Sequence, residues 1–402
     1  MPQADLRPLA PEPVLRPDGL PALDDWSLDP AVRHLNHGSF GAVPSATGAR
    51  QQELREEAER DPVAWFRHLP ARVAQARSAI ADWLHAPQEA TALVPNASAG
   101  VTAVLSSLPL RAGERIVVTD HAYGAVDMAV RRHAARAGAK VDTVHIPLDA
   151  DAEQSAALMR AAVDAHDRTT LVVVDHITSA TARLMPVQQI AADCLERGIA
   201  LLIDGAHAPG MLAEPLRGLE GTYWVGNLHK WPCAPRGTAA LVAQPADSAD
   251  RQRLHPPIDS WGAPDDYPQR FDQQGTLDLA AWLATPHALD LIEDRYGWDA
   301  ARTHMSTLAD YAQRYLAERW GVSLDGLPPE PAPTMRLVPL PHGIAADQDA
   351  AHALQHAIAD RHACATSVTT WRGRGFLRLS AHLYNTPADY QDFADRCDVL
   401  HP

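Results

Sequence analysis

The sequence predicts a large, doubly wound, mostly parallel α/β sheet followed by a smaller α+β unit. Three observations predict it. Short apolar runs recur at Arg115–Thr119, Val141–Ile146, Leu171–Asp175, Ile199–Asp204 and Tyr223–Gly226. Alanine-rich helical segments such as Ala125–Gly138 and Ala152–His166 separate several of them, which is the rhythm of βαβ units with helices over both faces. After a long helical stretch the pattern changes, and the remaining apolar runs, at Met335, Thr366 and Gly375, are spaced for a second, smaller sheet.

Taken in order, residues 1–29 are proline-rich and without periodicity, so they read as an extended arm. Helical spacing runs from about Ser45 to Leu84, and again from Ala97 to Leu108, with the turn Pro95-Asn-Ala-Ser-Ala-Gly100 leading into the second stretch. The five strand runs follow, and Thr238–Ala243 adds one more strand, expected antiparallel. A helix from Leu277 to about Arg295 leaves the large unit, and the proline-rich Leu327–Pro333 is a connector. The expected division is an N-terminal segment over 1–44, a large domain over 45–285 and a small domain over 286–402. No internal repeat or low-complexity tract interrupts it.

Composition narrows the function classes. At 402 residues the chain has room for a sizeable core. Its formal net charge of −15 argues against a nucleic-acid partner. No apolar stretch reaches the roughly 20 residues of a membrane helix, and the first residues carry no basic flank before an apolar core, so no signal peptide is read there. The four cysteines, Cys194, Cys233, Cys364 and Cys397, have neither metal-ligand nor disulfide spacing, and a reducing cytoplasm is the expected compartment. The twenty histidines form no His-Glu-x-x-His cluster, so no metal is expected.

The chemistry concentrates where two runs end. Leu201-Leu-Ile-Asp204-Gly-Ala-His207 and Val225-Gly-Asn-Leu-His229-Lys230-Trp deliver a carboxylate and an amine to one sheet edge, beyond the carboxyl ends of strands where open α/β sheets bind ligands. Pyridoxal 5′-phosphate (PLP) needs that pair: a lysine to form the Schiff base, and an acid to keep the pyridine nitrogen protonated. Burial would lower the Lys230 pKa and free its amine. Asn96-Ala97-Ser98 opens a helix and offers N–H groups, a hydroxyl and a favourable dipole to a phosphate, although Ser98 also suits a plain helix cap.

These residues belong to an ordered set. Leu35-Asn-His-Gly-Ser-Phe-Gly41, Asp120-His-Ala-Tyr-Gly124, Asp175-His-Ile-Thr-Ser179, Asp204-Gly-Ala-His207, Gly226-Asn-Leu-His-Lys230-Trp, Cys233-Ala-Pro-Arg-Gly237, Ser260-Trp-Gly262, Gln274-Gly-Thr276 and Arg378-Leu-Ser-Ala-His-Leu-Tyr-Asn385 closely resemble class V aminotransferase-fold PLP enzymes, nearest the isopenicillin N epimerase branch, over residues 33–387. The resemblance implies PLP-dependent fold type I, with a seven-stranded-type sheet. It makes Lys230 the Schiff-base lysine and the acid/base at Cα, and pairs Asp204 with the pyridine nitrogen. It sets His207 near the phenolic oxygen, and Ala97, Ser98 and His229 at the phosphate.

An aromatic group is expected on the open face of the ring, and His121 and Tyr123 are the two candidates, Tyr123 being preferred. Thr178 or Ser179 reaches the phenolic oxygen, or else forms a turn. Gly275-Thr276 resembles the turn that reaches the neighbouring subunit's phosphate, which implies a homodimer. Arg378 would grip a substrate α-carboxylate. Arg372 or Arg374 could instead serve a distal acid, and Asn36 and His37 match the family's segment that closes over the substrate, or else form an Asx turn before Gly38.

The same residues serve three reactions. An epimerase needs proton exchange on both faces of Cα, so Lys230 needs a partner such as Tyr123, His37 or water. A C–S β-lyase needs one base, and a transaminase needs controlled reprotonation at the cofactor. A desulfurase would need a thiolate on a mobile loop, and Cys364, entering a strand, does not provide one. The expected activity is therefore at the α-carbon of an amino acid, epimerase-like, with lyase and aminotransferase as alternatives and a degenerate PLP-binding regulator as the non-enzyme reading.

Overall fold

The computed structural model describes residues 9–397. In chain order the large sheet comprises β1 (Thr91–Val94), β2 (Arg115–Thr119), β3 (Lys140–Val144), β4 (Thr169–Asp175), β5 (Ala200–Asp204), β6 (Thr222–Asn227) and β7 (Ala239–Ala243). They lie in the order β1-β7-β6-β5-β4-β2-β3. As expected from the sequence, β7 runs antiparallel to its neighbours, while β2 to β6 pair in parallel. Strand β1 was not read from the sequence. Its four residues run straight into the Pro95–Gly100 turn.

Successive strand residues feed two different cores, which is why these runs are apolar throughout. Val172, Val174, Leu201, Ile203 and Trp224 point to one face, covered by α2 (Pro62–Trp83), α5 (Ala152–Asp164), α6 (Val187–Glu196) and α7 (Ala280–Tyr296). Leu171, Val173, Leu202, Tyr223 and Val225 point to the other, under α3 (Ala97–Ser107) and α4 (Gly124–Ala137). Each fully buried aliphatic side chain of this kind stabilises by about 1.5–3 kcal/mol.

The helical stretch expected over Ser45–Leu84 is two helices. Helix α1 (Ser45–Arg60) ends at Asp61, whose carboxylate accepts the Ala64 N–H and caps α2, with Pro62 at its first position. Helix α3 is capped in the same way by Asn96, which accepts from the Ala99 N–H.

Beyond α7 come α8 (Trp298–Trp320), β8 (Met335–Pro339), α9 (Gln348–His362), β9 (Ser367–Trp371), β10 (Arg374–Ser380) and α10 (Pro387–Arg396). The three strands form an antiparallel sheet in the order β9-β10-β8, with strand bounds within a residue of those expected. Leu35 joins the core of this second unit, and Arg33–His34 pair in parallel with Cys364–Ala365.

The segment after Leu35 then crosses to the large sheet. The Gly38 N–H donates to Ser380 Oγ at 3.1 Å. Gly41, at φ +66°, lies so close to the chain that a Cβ there would stand 1.8 Å from the His229 carbonyl oxygen. Only glycine fits. A matched pair of substitutions tests this contact. Gly41→Ala should lower the unfolding free energy by about 2–4 kcal/mol. Gly48→Ala, in the open interior of α1 with nothing within 4 Å, should raise it by about 0.5–1 kcal/mol. Denaturant titration of both variants reads the two signs.

Candidate active site

Three adjacent strands end in a polar residue: β4 in Asp175, β5 in Asp204 and β6 in Asn227. The cavity beyond those ends is lined by Ser39, Phe40, Asn96, Ala97, Ser98, Tyr123, Ser179, Asp204, Ala206, His207, Asn227, His229 and Lys230. Lys230 is one of only two lysines in the chain, the other being Lys140. Its Nζ lies 3.0 Å from His207 Nε2. Burial, then the charge of Arg378, pushes its pKa down to about 7, against the opposing pull of Asp204 and Asp175. A lysine so placed holds much of its amine unprotonated at neutral pH.

Asp204 is buried, and its carboxylate accepts the Ala206 N–H at 3.0 Å. Asp175 sits directly across the ladder from it. Burial holds both above the ordinary carboxylate range, and the charge of Asp204 raises Asp175 further. Of the two, Asp204 alone faces the cavity. An acid that is expensive to ionise without a cation suits a pyridinium N–H as its partner.

At the far end, Asn227 Oδ1 accepts the Ala97 N–H at 2.8 Å and fixes the start of α3. Ser98 is exposed to the cavity at that helix N-terminus, where dipole and hydroxyl favour a phosphate. His229 Nδ1 lies 3.2 Å from the Thr238 carbonyl oxygen, and burial, then Lys230, pushes its pKa down to about 4. The amine, the acid and the helix N-terminus together fit PLP. Asn227 was missed in the sequence, although a polar residue closing an apolar run, three before the lysine, was a usable signal.

The other expected residues divide between the cavity wall and positions outside it. Tyr123 lines the cavity, whereas His121 is buried beneath it, between Thr181 Oγ1 and the Ile146 carbonyl oxygen, both at 2.8 Å, and stacked on Trp371. Ser179 lines the cavity, while the Thr178 hydroxyl is taken up by Thr181 and the Arg183 N–H. His37 lies behind Lys230, with its Nε2 3.0 Å from the Lys230 carbonyl oxygen, its Nδ1 2.9 Å from the Tyr384 hydroxyl and its ring stacked on His382. Thr276 borders a separate depression with Phe66, Leu69 and the exposed Trp261. Arg372 donates to Asp120, and Arg374 lies over the Phe376 ring.

Arg378 stands one layer behind the cavity wall and is 4% exposed. It donates from Nη1 to the Ser179 carbonyl oxygen and hydroxyl, and from Nη2 to Asn36 Oδ1 and Ser39 Oγ, at 2.8–3.1 Å. Every one of these partners is neutral, and among the described residues its Nε has no partner. Asn36 therefore acts on Arg378, which it helps to hold.

If burial and Arg378 set the Lys230 amine, acylation of Lys230 in cofactor-free protein, followed by peptide mass spectrometry, should titrate with a midpoint near 7. Arg378→Leu should move that midpoint upward. A midpoint near the ordinary lysine value in the parent protein would mean that the amine is solvated.

Isopenicillin N epimerase of Streptomyces clavuligerus is 31% identical over 407 aligned residues, spanning 94% of this chain and 99% of that protein. A putative L-cysteine desulfhydrase of Oryza sativa subsp. japonica is 29% identical, over 92% and 83% of the two chains. Among solved structures, a cysteine desulfurase from Thermococcus onnurineus NA1 superposes with a TM-score of 0.77 at 17% identity, over 96% of this chain and 98% of that one. A cystine C–S lyase in complex with cysteine persulfide superposes at 0.76 with 18% identity, over 92% and 98%. Both show the same fold. Residues 64–393 match the model of the aminotransferase class-V family, and the chain belongs to that family of PLP-dependent fold type I enzymes.

Proposed function

We propose that this enzyme moves the α-proton of an amino acid and is epimerase-like, with Lys230 and Tyr123 as the two acid/base groups. The observation that carries the reading is Arg378, a buried guanidinium bonded only to neutral oxygens at the edge of the cavity that holds Lys230. A buried cation without a counter-ion favours an anion in place of those oxygens. A substrate α-carboxylate would take the place of Asn36 Oδ1 or Ser39 Oγ on Nη2 and reach Nε with its second oxygen, giving two parallel hydrogen bonds.

Bound PLP would be held by Lys230 at its aldehyde end, Asp204 at the ring nitrogen and Ser98, Ala97 and His229 around the phosphate, and supplies the electron sink that makes the α-proton acidic. Lys230, much of whose amine is unprotonated near neutral pH, takes that proton. Inversion needs a second group across the cavity. His37 is buried, tied at both ring nitrogens and pushed down to about 3 by burial; of the two remaining groups, Tyr123 and a water, Tyr123 lines the cavity and is the one proposed.

A second reading, C–S β-elimination, requires Lys230 alone, and the likeness to the desulfhydrase supports it. A desulfurase reading has no support from the cavity lining, which contains no cysteine, and all four thiols are buried. A homodimer in which Thr276 reaches the partner site, and a cytoplasmic location, complete the proposal. Among the described residues no helix is long and apolar enough to cross a membrane.

The test is incubation of PLP-loaded enzyme with L- and D-amino acids, cysteine conjugates and sulfoxides in deuterated water. Inversion with deuterium at Cα is the expected result, and pyruvate with ammonia and a sulfur fragment would establish the lyase instead. In Tyr123→Phe, deuterium should still enter at Cα while inversion is lost. Unimpaired inversion would remove Tyr123 from the mechanism. Arg378→Ala should raise KM roughly ten- to hundredfold, the loss of a charge-assisted pair of bonds, and an unchanged KM would assign the carboxylate to another residue.

A further inference from the structure

Trp231 directly follows Lys230, and its indole is fully buried. Its Nε1 lies 3.4 Å from His207 Nδ1, and the other nitrogen of the same ring, His207 Nε2, lies 3.0 Å from Lys230 Nζ. We infer that Trp231 is a positioning residue, whose indole N–H holds His207 in the tautomer that presents Nε2–H to the Lys230 amine. The inference rests on the reading of Lys230 as the group that binds the cofactor and moves the proton.

An indole nitrogen only donates, so the nitrogen it faces, Nδ1, must carry the lone pair. His207 is buried, and burial followed by the nearby charge of Lys230 drives its pKa well below the ordinary value, with Arg378 and His229 acting in the same sense. The ring is therefore neutral and has a single N–H, which can only be on Nε2. Its neighbour Nζ must then accept, and an ammonium has no lone pair with which to do so. The contact favours the neutral amine, in the same direction as burial and the charge of Arg378, and against Asp204 and Asp175. In the opposite tautomer a bare Nε2 would accept from the ammonium and favour the protonated state.

The indole has little freedom to turn away. A Cβ on Gly38 would lie 3.2 Å from Trp231 Cζ2, and one on Gly210 2.9 Å from Trp231 Cβ. The His37 ring packs 5.1 Å from it on a tilted plane. Two glycines thus let the backbone close around the ring, and this clamping directs its N–H at His207. That gives Gly38 a physical role within the Asn-His-Gly-Ser-Phe-Gly run.

The test begins with the unmodified protein. In cofactor-free protein with ring-¹⁵N histidine, the His207 signals, identified by their loss in His207→Gln, should report a protonated Nε2 and a bare Nδ1. Trp231→Phe keeps a ring but removes the donor. It should give mixed tautomers and raise the midpoint of Lys230 acylation by about one pH unit, the worth of one hydrogen bond exchanged. With PLP bound, the same variant should lose kcat near neutral pH with little change in KM. A protonated Nδ1 in the parent protein would overturn the proposal. So would a folded Trp231→Phe protein, judged by its melting temperature, with tautomer and Lys230 midpoint unchanged. Should that variant fail to fold, the parent spectrum decides alone. Both signals are read without substrate, so failure to find an epimerase would leave this result standing and fall only on the reaction assigned above.

Discussion

Taking a lysine amine out of water is the cost around which this site is built. Lys230 is half-buried, near a buried cation, Arg378; the charged form of either is disfavoured by desolvation, and that of Lys230 also by the charge of Arg378. The surroundings answer in two ways. Asp204 and Asp175 supply negative charge from neighbouring strand ends, and neutral oxygens from Asn36, Ser39 and Ser179 solvate the guanidinium without neutralising it. What results is an amine whose pKa lies near neutral pH in the cavity and, one layer behind its wall, a guanidinium held by neutral oxygens.

That arrangement depends on parts of the chain far apart in sequence. The strand ends come from β4 to β6, the helix N-terminus at the cavity from α3, and the arginine from β10. The segment from Arg33 to Gly41 ties them together. It pairs with Cys364–Ala365, bonds to Ser380, and lies against the His229 carbonyl at a glycine with no room for a side chain. A change in this segment therefore reaches both Arg378, through Asn36, and the backbone that carries Lys230. Substrate binding that draws on Asn36 and Ser39 would be felt at both.

Much of the fold was legible because its strands are buried on both faces, so the apolar runs mark them to within a residue or two. The short strand β1 left too few residues to show a pattern. The break between α1 and α2 was legible in principle, since Asp61-Pro62 is a cap followed by a proline at the first helical position. At the site, the residues within one motif were readable together: Asp204 with His207, and His229 with Lys230. Those whose partners are remote in sequence were not. The position of His37 behind Lys230 depends on Tyr384, 347 residues away. The choice between His121 and Tyr123 turns on whether a side chain points under or over one loop, and that between Thr178 and Ser179 on which hydroxyl a local turn consumes.

The central claim is that Lys230 is the residue to which PLP attaches. Because Lys140 is the only other lysine, borohydride trapping of the cofactor on the PLP-loaded enzyme, followed by peptide mapping, gives an unambiguous answer. A stoichiometric adduct on Lys230 and none on Lys140 is the expected result. An adduct on Lys140, or a loaded enzyme in which Lys230 stays unmodified, would contradict it.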